Sequence, residues 1–127
     1  MTQTNLLYNK LWALSKRGHI LDGISGLLGW DQETYMPKSA APIRAEQREL
    51  LSELSHQIKT SPEFENILSQ LIDLETGNIL QDLDIRKQAA VRAWRRDFLR
   101  LKKLPTAFVQ HFTKLTSEAL HVWQTAR

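Results

Sequence analysis

Carboxylates and histidines are the residues of this chain that could move protons or hold a metal, and their spacing limits what they can do. The stretch "GWDQETYMPKSAAP" (Gly29 to Pro42) sets Asp31 and Glu33 two residues apart, among Trp30, Thr34, Tyr35 and Met36. On a helix that spacing points the two carboxylates in different directions, whereas an extended segment would put them on one face. Acid–base work also needs a pocket that shifts a pKa, and spacing supplies none. Local hydrogen bonding is therefore the favoured reading: near a helix end, Asp31 caps a turn or accepts backbone amides. The histidines (His19, His56, His111 and His121) form no His-Glu-x-x-His pair, and no two are spaced to share a helix turn. His56 and His121 each lie three residues after a glutamate, Glu53 and Glu118, the spacing of a surface pair along a helix. The glycines follow no strand, so there is no phosphate-cradling loop, and there is no Gly-x-Ser-x-Gly elbow. The residues of this chain thus ask for no metal and no cofactor.

The second candidate is electrostatic. The stretch "RKQAAVRAWRRDFLRLKK" (Arg86 to Lys103) holds eight basic residues against one acid. On a helical wheel Val91, Trp94, Phe98 and Leu101 gather on one side, and Arg92, Arg96, Arg100 and Lys103 gather roughly opposite. That basic stripe could meet an anion or an acidic partner surface. The favoured reading is a solvated face pairing with acids such as Glu63, Glu65 or Asp73. Trp94 points to the core on this wheel, which leaves it unable to stack on bases, and no nucleic-acid partner is expected.

The elements that must position these residues are helices. Leu7, Leu11, Leu14, Leu21, Ile24, Leu27 and Leu28 recur at three- and four-residue steps from about Asn5 to Trp30. Gly23, Gly26 and Gly29 interrupt that rhythm every third residue, and close approach of another helix is the favoured explanation. A second helix from about Pro42 to Lys59 carries Ile43, Leu50, Leu51, Leu54 and Ile58 as its apolar stripe. Ser61-Pro62-Glu63 reads as an N-cap, a proline at the first helical position and an acid in the first turn. The helix it opens carries Phe64, Ile67, Leu68, Leu71 and Leu74 and is expected to end at Gly77 as a left-handed cap. A fourth helix spans about Asp82 to Lys103, and Pro105 disfavours helix at Leu104 and opens a fifth. No alternating β-branched run appears. The class is all-α: about five helices with short, mostly antiparallel connections.

With 127 residues the chain has one domain's worth of length, and 42% hydrophobic with 24% charged residues argues against disorder. It has no cysteine, which excludes disulfides and thiolate metal sites and suits a reducing cytosol. The N-terminal residues show no secretory pattern, and Ile20 to Trp30 is too short and too rich in glycine to cross a bilayer. A cytoplasmic chain with no membrane association is expected. The net charge of +3 permits but does not demand contact with phosphates. Leu115, Ala119, Val122, Trp123 and Ala126 are still in apolar rhythm at Arg127, so the chain is expected to be a piece of a longer polypeptide whose apolar faces would promote self-association.

The opening stretch also carries a pattern. "LLGWDQETYMP" resembles the Trp-Asp-x-x-Thr-x-Met-Pro signature of the carboxypeptidase Taq family of metallocarboxypeptidases, matched here by Trp30, Asp31, Thr34, Met36 and Pro37. "RAEQRELLSELSHQI" stands where that family has an Arg-Ala-x-Gln helix, and "SPEFENIL", an Arg-rich helix and "LP" follow in order. The resemblance runs the length of the chain and implies a larger, almost wholly helical enzyme. Such enzymes hold one divalent metal, usually zinc, through a His-Glu-x-x-His helix and a later glutamate. The motif's glutamate is the general base, and metal-activated water attacks the C-terminal bond of a peptide. None of those catalytic residues is in this chain, which by this reading is an inactive N-terminal segment walling a substrate groove. Within it Asp31 and Thr34 would fix the backbone of a structural corner, and Trp30 and Met36 would pack it. The alternative is a free-standing helical interaction module whose basic helix binds an acidic partner.

Overall fold

The computed structural model describes residues 2–127. Among them are five α-helices: α1 (Gln3–Thr34), α2 (Ala41–Lys59), α3 (Pro62–Leu71), α4 (Ile85–Lys102) and α5 (Thr106–Ala126), with a 3-10 turn at Lys38–Ala40 before α2. The described residues form no strand, only an isolated antiparallel bridge between Ile72 and Ile79. The all-α class expected from periodicity is the one observed.

Local chemistry explains most boundaries. Thr2 Oγ1 accepts the Asn5 amide and caps α1. Ser61 Oγ accepts the Phe64 amide at 3.1 Å, with Pro62 at the first helical position, as its sequence foretells. Asp84 caps α4 in the same way through the Lys87 amide. Helix α1 runs past Trp30, however, and takes in the first half of the segment read as a turn. It stops where the amides of Tyr35 and Met36 both reach Asp31 O, at 3.0 and 2.9 Å. Pro37 then has no N–H to offer and forces Met36 out of helical geometry.

Helix α3 ends at Leu71 rather than at Gly77. Ile72 turns extended (φ −147, ψ 140) and is completely buried. The chain then reverses through Asp73–Asn78, whose ends are joined by Asp73 N→Asn78 O and Gly77 N→Asp73 O, both 2.8 Å. Gly77 does adopt the left-handed conformation (φ 78), but to close this reversal and not to cap a helix.

The chain divides into two compact units. The first gathers the stretch to Arg17 with Gln57–Leu104 and holds a conventional apolar core. Leu7 and Leu11 from α1, Phe64, Ile67, Leu68 and Leu71 from α3, and Val91 and Phe98 from α4 are all buried, joined by Ile72 and Leu83. Phe64 and Phe98 stack at 6.0 Å, and Trp94 donates Nε1–H to Ser15 Oγ at 2.9 Å, so the wheel assigned the inner face of α4 correctly. Two arginines of α4 tie down the 73–78 reversal: Arg95 donates to Leu74 O and Glu75 O, and Arg92 donates to Gly77 O.

The second unit combines Gly18–His56 with Pro105–Arg127, and its interior is built differently. Its buried side chains are small or polar: Gln32, Ala41, Ala45, Ser55, His56 and Ser117. The apolar stripes expected to form a core there lie largely outside. Ile24, Leu27, Ile43, Leu50, Leu54, Leu115, Val122 and Trp123 are all exposed, Leu27 at 70%. The inward face of α2 is instead marked by the buried Ala41, Ala45, Ser55 and His56, with half-buried Arg48 on the same side; Ala41, Ala45, Arg48 and Ser55 follow at helical steps of four, three and seven. The glycines also behave differently from expectation. A methyl group added at Gly23 or Gly26 would meet nothing within 4 Å, so no helix among the described residues packs closely on either, and α1 continues through both. His56 is likewise buried rather than on the surface, with Nδ1 2.7 Å from Thr106 Oγ1.

Candidate functional site

The Trp-Asp-x-x-Thr-x-Met-Pro residues straddle the end of α1 and the turn into α2. Asp31 sits on the last helical turn with Oδ2 2.8 Å from Arg44 Nη2. Arg44 comes from the first turns of α2, where helical spacing places it beside the end of α1. Its side chain is 13% exposed against 37% for Asp31. It also donates Nη1–H to Leu28 O at 2.7 Å and Nε–H to Gln47 Oε1 at 3.1 Å. One guanidinium thus binds a carboxylate and a carbonyl of the last turns of α1, a charge-assisted brace. Thr34 Oγ1 bonds back to Trp30 O at 2.7 Å within the same turn. Trp30 is 60% exposed, with its ring centroid 5.5 Å from that of Tyr35. Met36 is half-buried and Pro37 exposed. Glu33 is exposed and points away from the Asp31–Arg44 pair, so the two carboxylates share no face.

Gln32, an unassigned position of the motif, is the most buried of the motif's own residues. Its amide faces the hydroxyl of Ser117 on α5, with Nε2 3.1 Å and Oε1 3.2 Å from Oγ, and Nε2 also reaches Ser117 O at 3.2 Å. Oε1 accepts from Arg48 Nη1 at 3.1 Å. A single glutamine therefore joins α1, α2 and α5. Sequence reading gave no role to Gln32, Arg44, Arg48 or Ser117. One available signal was the spacing of Ala41, Arg44, Ala45 and Arg48, which puts small residues and two guanidinium groups on one face of α2.

The basic stripe of α4 is dispersed in purpose. Arg92 is bonded to Gly77 O, while Arg96 and Arg100 both turn to Asp97, at 3.5 and 3.2 Å. Arg96 and Arg100 are each 73% exposed, and Lys103 is exposed beside them. The acid met across the helices is Glu65, and its partner is Lys102 at 3.6 Å, outside the stripe. Exposed pairs of this kind contribute little. Asp73, by contrast, accepts the amides of Thr76 and Glu75 at 2.9 Å. Those backbone donors, with Arg95 nearby, hold its carboxyl below the ordinary carboxylate value. The Tyr8 phenol is pushed up by burial and by Asp84.

Among the described residues no three His, Asp or Glu side chains gather as they would around one ion. The donor set of this chain does not fit a divalent metal, and no step through a metal is assigned to it.

A model of the carboxypeptidase Taq (M32) metallopeptidase family matches residues 10–127, a span that includes the whole motif corner and all of α2 to α5. The chain belongs to the carboxypeptidase Taq family. Thermostable carboxypeptidase 1 of Pyrococcus furiosus is 30% identical over 120 residues, which is 94% of this chain and 21% of that protein. Thermostable carboxypeptidase 1 of Thermus thermophilus is 29% identical over 120 residues, 94% of this chain and 23% of that protein. The chain therefore spans between a fifth and a quarter of the length of the curated carboxypeptidase Taq relatives it matches, in their N-terminal part. No solved structure matches it.

Proposed function

We infer that this chain forms the N-terminal helical segment of a metal-dependent carboxypeptidase, where it walls the groove that receives a peptide. The observation that carries the reading is the family match over residues 10–127. The braced corner at Asp31–Arg44 and Gln32–Ser117 supports it, because a groove wall must hold its shape without a covering partner. Trp30, Asp31, Thr34, Met36 and Pro37 serve structure in this reading. Asp31 does so through Arg44 and Thr34 through its own helix turn, while Trp30 and Met36 offer apolar surface to whatever lies against the corner.

In the whole protein a divalent metal, zinc in this proposal, would supply Lewis-acid chemistry from ligands outside this chain, and C-terminal residues would be removed from peptides. The substrate is a peptide, and neither nucleic acid nor a membrane enters the reading. No helix among the described residues is long and apolar enough to cross a membrane. A cytoplasmic location is part of the proposal, on the cysteine-free composition.

The test is a release assay on a blocked dipeptide with added zinc. The 127-residue chain should liberate no amino acid. The full-length polypeptide should do so, should lose activity to a chelator, and should regain it when metal is restored. Turnover by the 127-residue chain would overturn the assignment of the chemistry to other residues. A full-length protein with no metal-dependent release would overturn the enzymatic reading itself.

A further inference from the structure

Two arginines of α2 lie at the motif corner, and only one has a carboxylate. Arg44 is neutralised by Asp31 at 2.8 Å. Arg48, one turn further on and half-buried, has a neutral partner instead: Nη1 donates to Gln32 Oε1 at 3.1 Å. Its other edge is unused. Nε is screened from solvent with no hydrogen-bond partner, the sole side-chain nitrogen or oxygen in that state among the described residues. Nη2 has no hydrogen-bond partner among the described residues and lies beside Gly29, where a methyl group would stand 3.7 Å from it and 3.9 Å from Cζ.

The Nε–H and Nη2–H bonds of a guanidinium point the same way and match the two oxygens of a carboxylate. A cation withdrawn from water against a neutral amide costs free energy that an anion at this edge would recover. Of the two guanidinium groups, Arg44 is matched by the Asp31 carboxylate and Arg48 is met by the neutral Gln32 amide.

We propose that the Nε–Nη2 edge of Arg48 is a carboxylate-binding site, filled by a carboxylate from outside residues 2–127. Gln32 holds the guanidinium in place from its far edge, and Ser117 fixes Gln32 in turn. Two sources have the required chemistry: the free C-terminus of a bound peptide, and an Asp or Glu side chain of the longer polypeptide. The first rests on the peptidase function proposed above; the site itself does not.

The test starts with the 127-residue chain carrying ¹⁵N-labelled arginine side chains. It is titrated with acetate, with N-acetyl-alanyl-alanine, and with the C-terminal amide of that dipeptide. The Arg48 Nε–H resonance should move with the two carboxylates and not with the amide, while the Arg44 Nε–H stays in place. No movement with either carboxylate, or equal movement with the amide, overturns the site. In the full-length polypeptide, Arg48→Gln then separates the sources. A KM raised about tenfold at unchanged kcat, partly restored by Arg48→Lys, identifies the peptide's C-terminus. An unchanged KM with a larger fall in unfolding temperature than the same substitution causes in the 127-residue chain identifies a side chain of the polypeptide. Equal falls in the two proteins with KM unchanged overturn the proposal. A full-length protein without peptidase activity would refute the proposed function and leave the resonance titration to decide the site.

Discussion

Asp31 and Glu33 show how little a residue type says without its neighbours. The two are close in sequence and both carry a carboxylate, yet one is bound to a largely buried guanidinium and the other is exposed, two residues further round the helix end. Removing Asp31 leaves the largely buried Arg44 with neutral acceptors alone, Leu28 O and Gln47 Oε1, so Asp31→Ala should cost about 1–3 kcal/mol. Glu33→Ala should stay within about 0.5 kcal/mol of the unchanged protein. Urea denaturation of the two variants checks both values. Should Asp31→Ala leave stability untouched while abolishing peptidase activity in the full-length protein, the structural role assigned to this carboxylate falls. The local hydrogen bonding favoured for Asp31 from spacing differs from this geometry: its backbone carbonyl closes α1, while its carboxylate accepts from Arg44, thirteen residues on, rather than from a nearby amide. The identity of that partner could not be read from spacing. Arg44 meets Asp31 only because Pro37 ends one helix and the 3-10 turn at Lys38–Ala40 starts the next in the required direction.

At the scale of elements, the boundaries at Ser61–Pro62 and Pro105 and the inward faces of the first unit were legible, and the inward faces of the second unit were not. Ser61, Pro62 and Pro105 act through bonds within a few residues, and each boundary lies where their chemistry puts it. The glycines of α1 are a different case. Gly23 and Gly26 have open space where a side chain would stand, so they weaken the helix without serving a contact in this chain. Gly23→Ala and Gly26→Ala should each raise stability by about 0.5–1 kcal/mol, seen as a higher urea midpoint at unchanged slope. A lower midpoint would show that something packs against that face. The 73–78 reversal is pH-sensitive by construction. The Asp73 carboxyl is held below its ordinary value of 3.8 by amides that only the folded loop supplies. Its contribution is therefore complete above that ordinary value and disappears as pH falls through the lower folded-state value. Amide exchange at Glu75 and Thr76 should accelerate across this acid window. In Asp73→Asn the same amides should exchange at rates that do not change across the window, apart from the intrinsic pH dependence of exchange. An unchanged window in Asp73→Asn would place the titration elsewhere.

At the scale of the whole molecule the two units are stabilised by different means. The first unit buries large apolar side chains of α1, α3 and α4, as the periodicity of each helix requires. The second places alanine, serine, glutamine and histidine inside and leaves Leu27, Val122 and Trp123 outside at 70%, 66% and 56% exposure. Apolar surface on that scale favours association. The 127-residue chain is expected to self-associate, with a sedimentation coefficient that rises with concentration and a bound hydrophobic dye that is released as it does so. A concentration-independent monomer would count against this expectation.

By itself, the sequence determined the helical class, the caps, the inner face of α4 and the family signature at Trp30 to Pro37, because these depend on chemistry local to one element or on a pattern of residue types. Only the tertiary structure decided which stripe of α1, α2 and α5 turns inward, that Gly77 closes a reversal, and that Gln32, Arg44, Arg48 and Ser117 form one corner. Periodicity says that a helix has an apolar face, but not whether another helix of the same chain covers it. In the second unit Gln32, Arg48, Ser55, His56 and Ser117 found partners at hydrogen-bonding distance, while much of the apolar stripes stayed exposed. The corner legible as a signature is therefore also where the structure leaves one guanidinium edge, that of Arg48, without a partner.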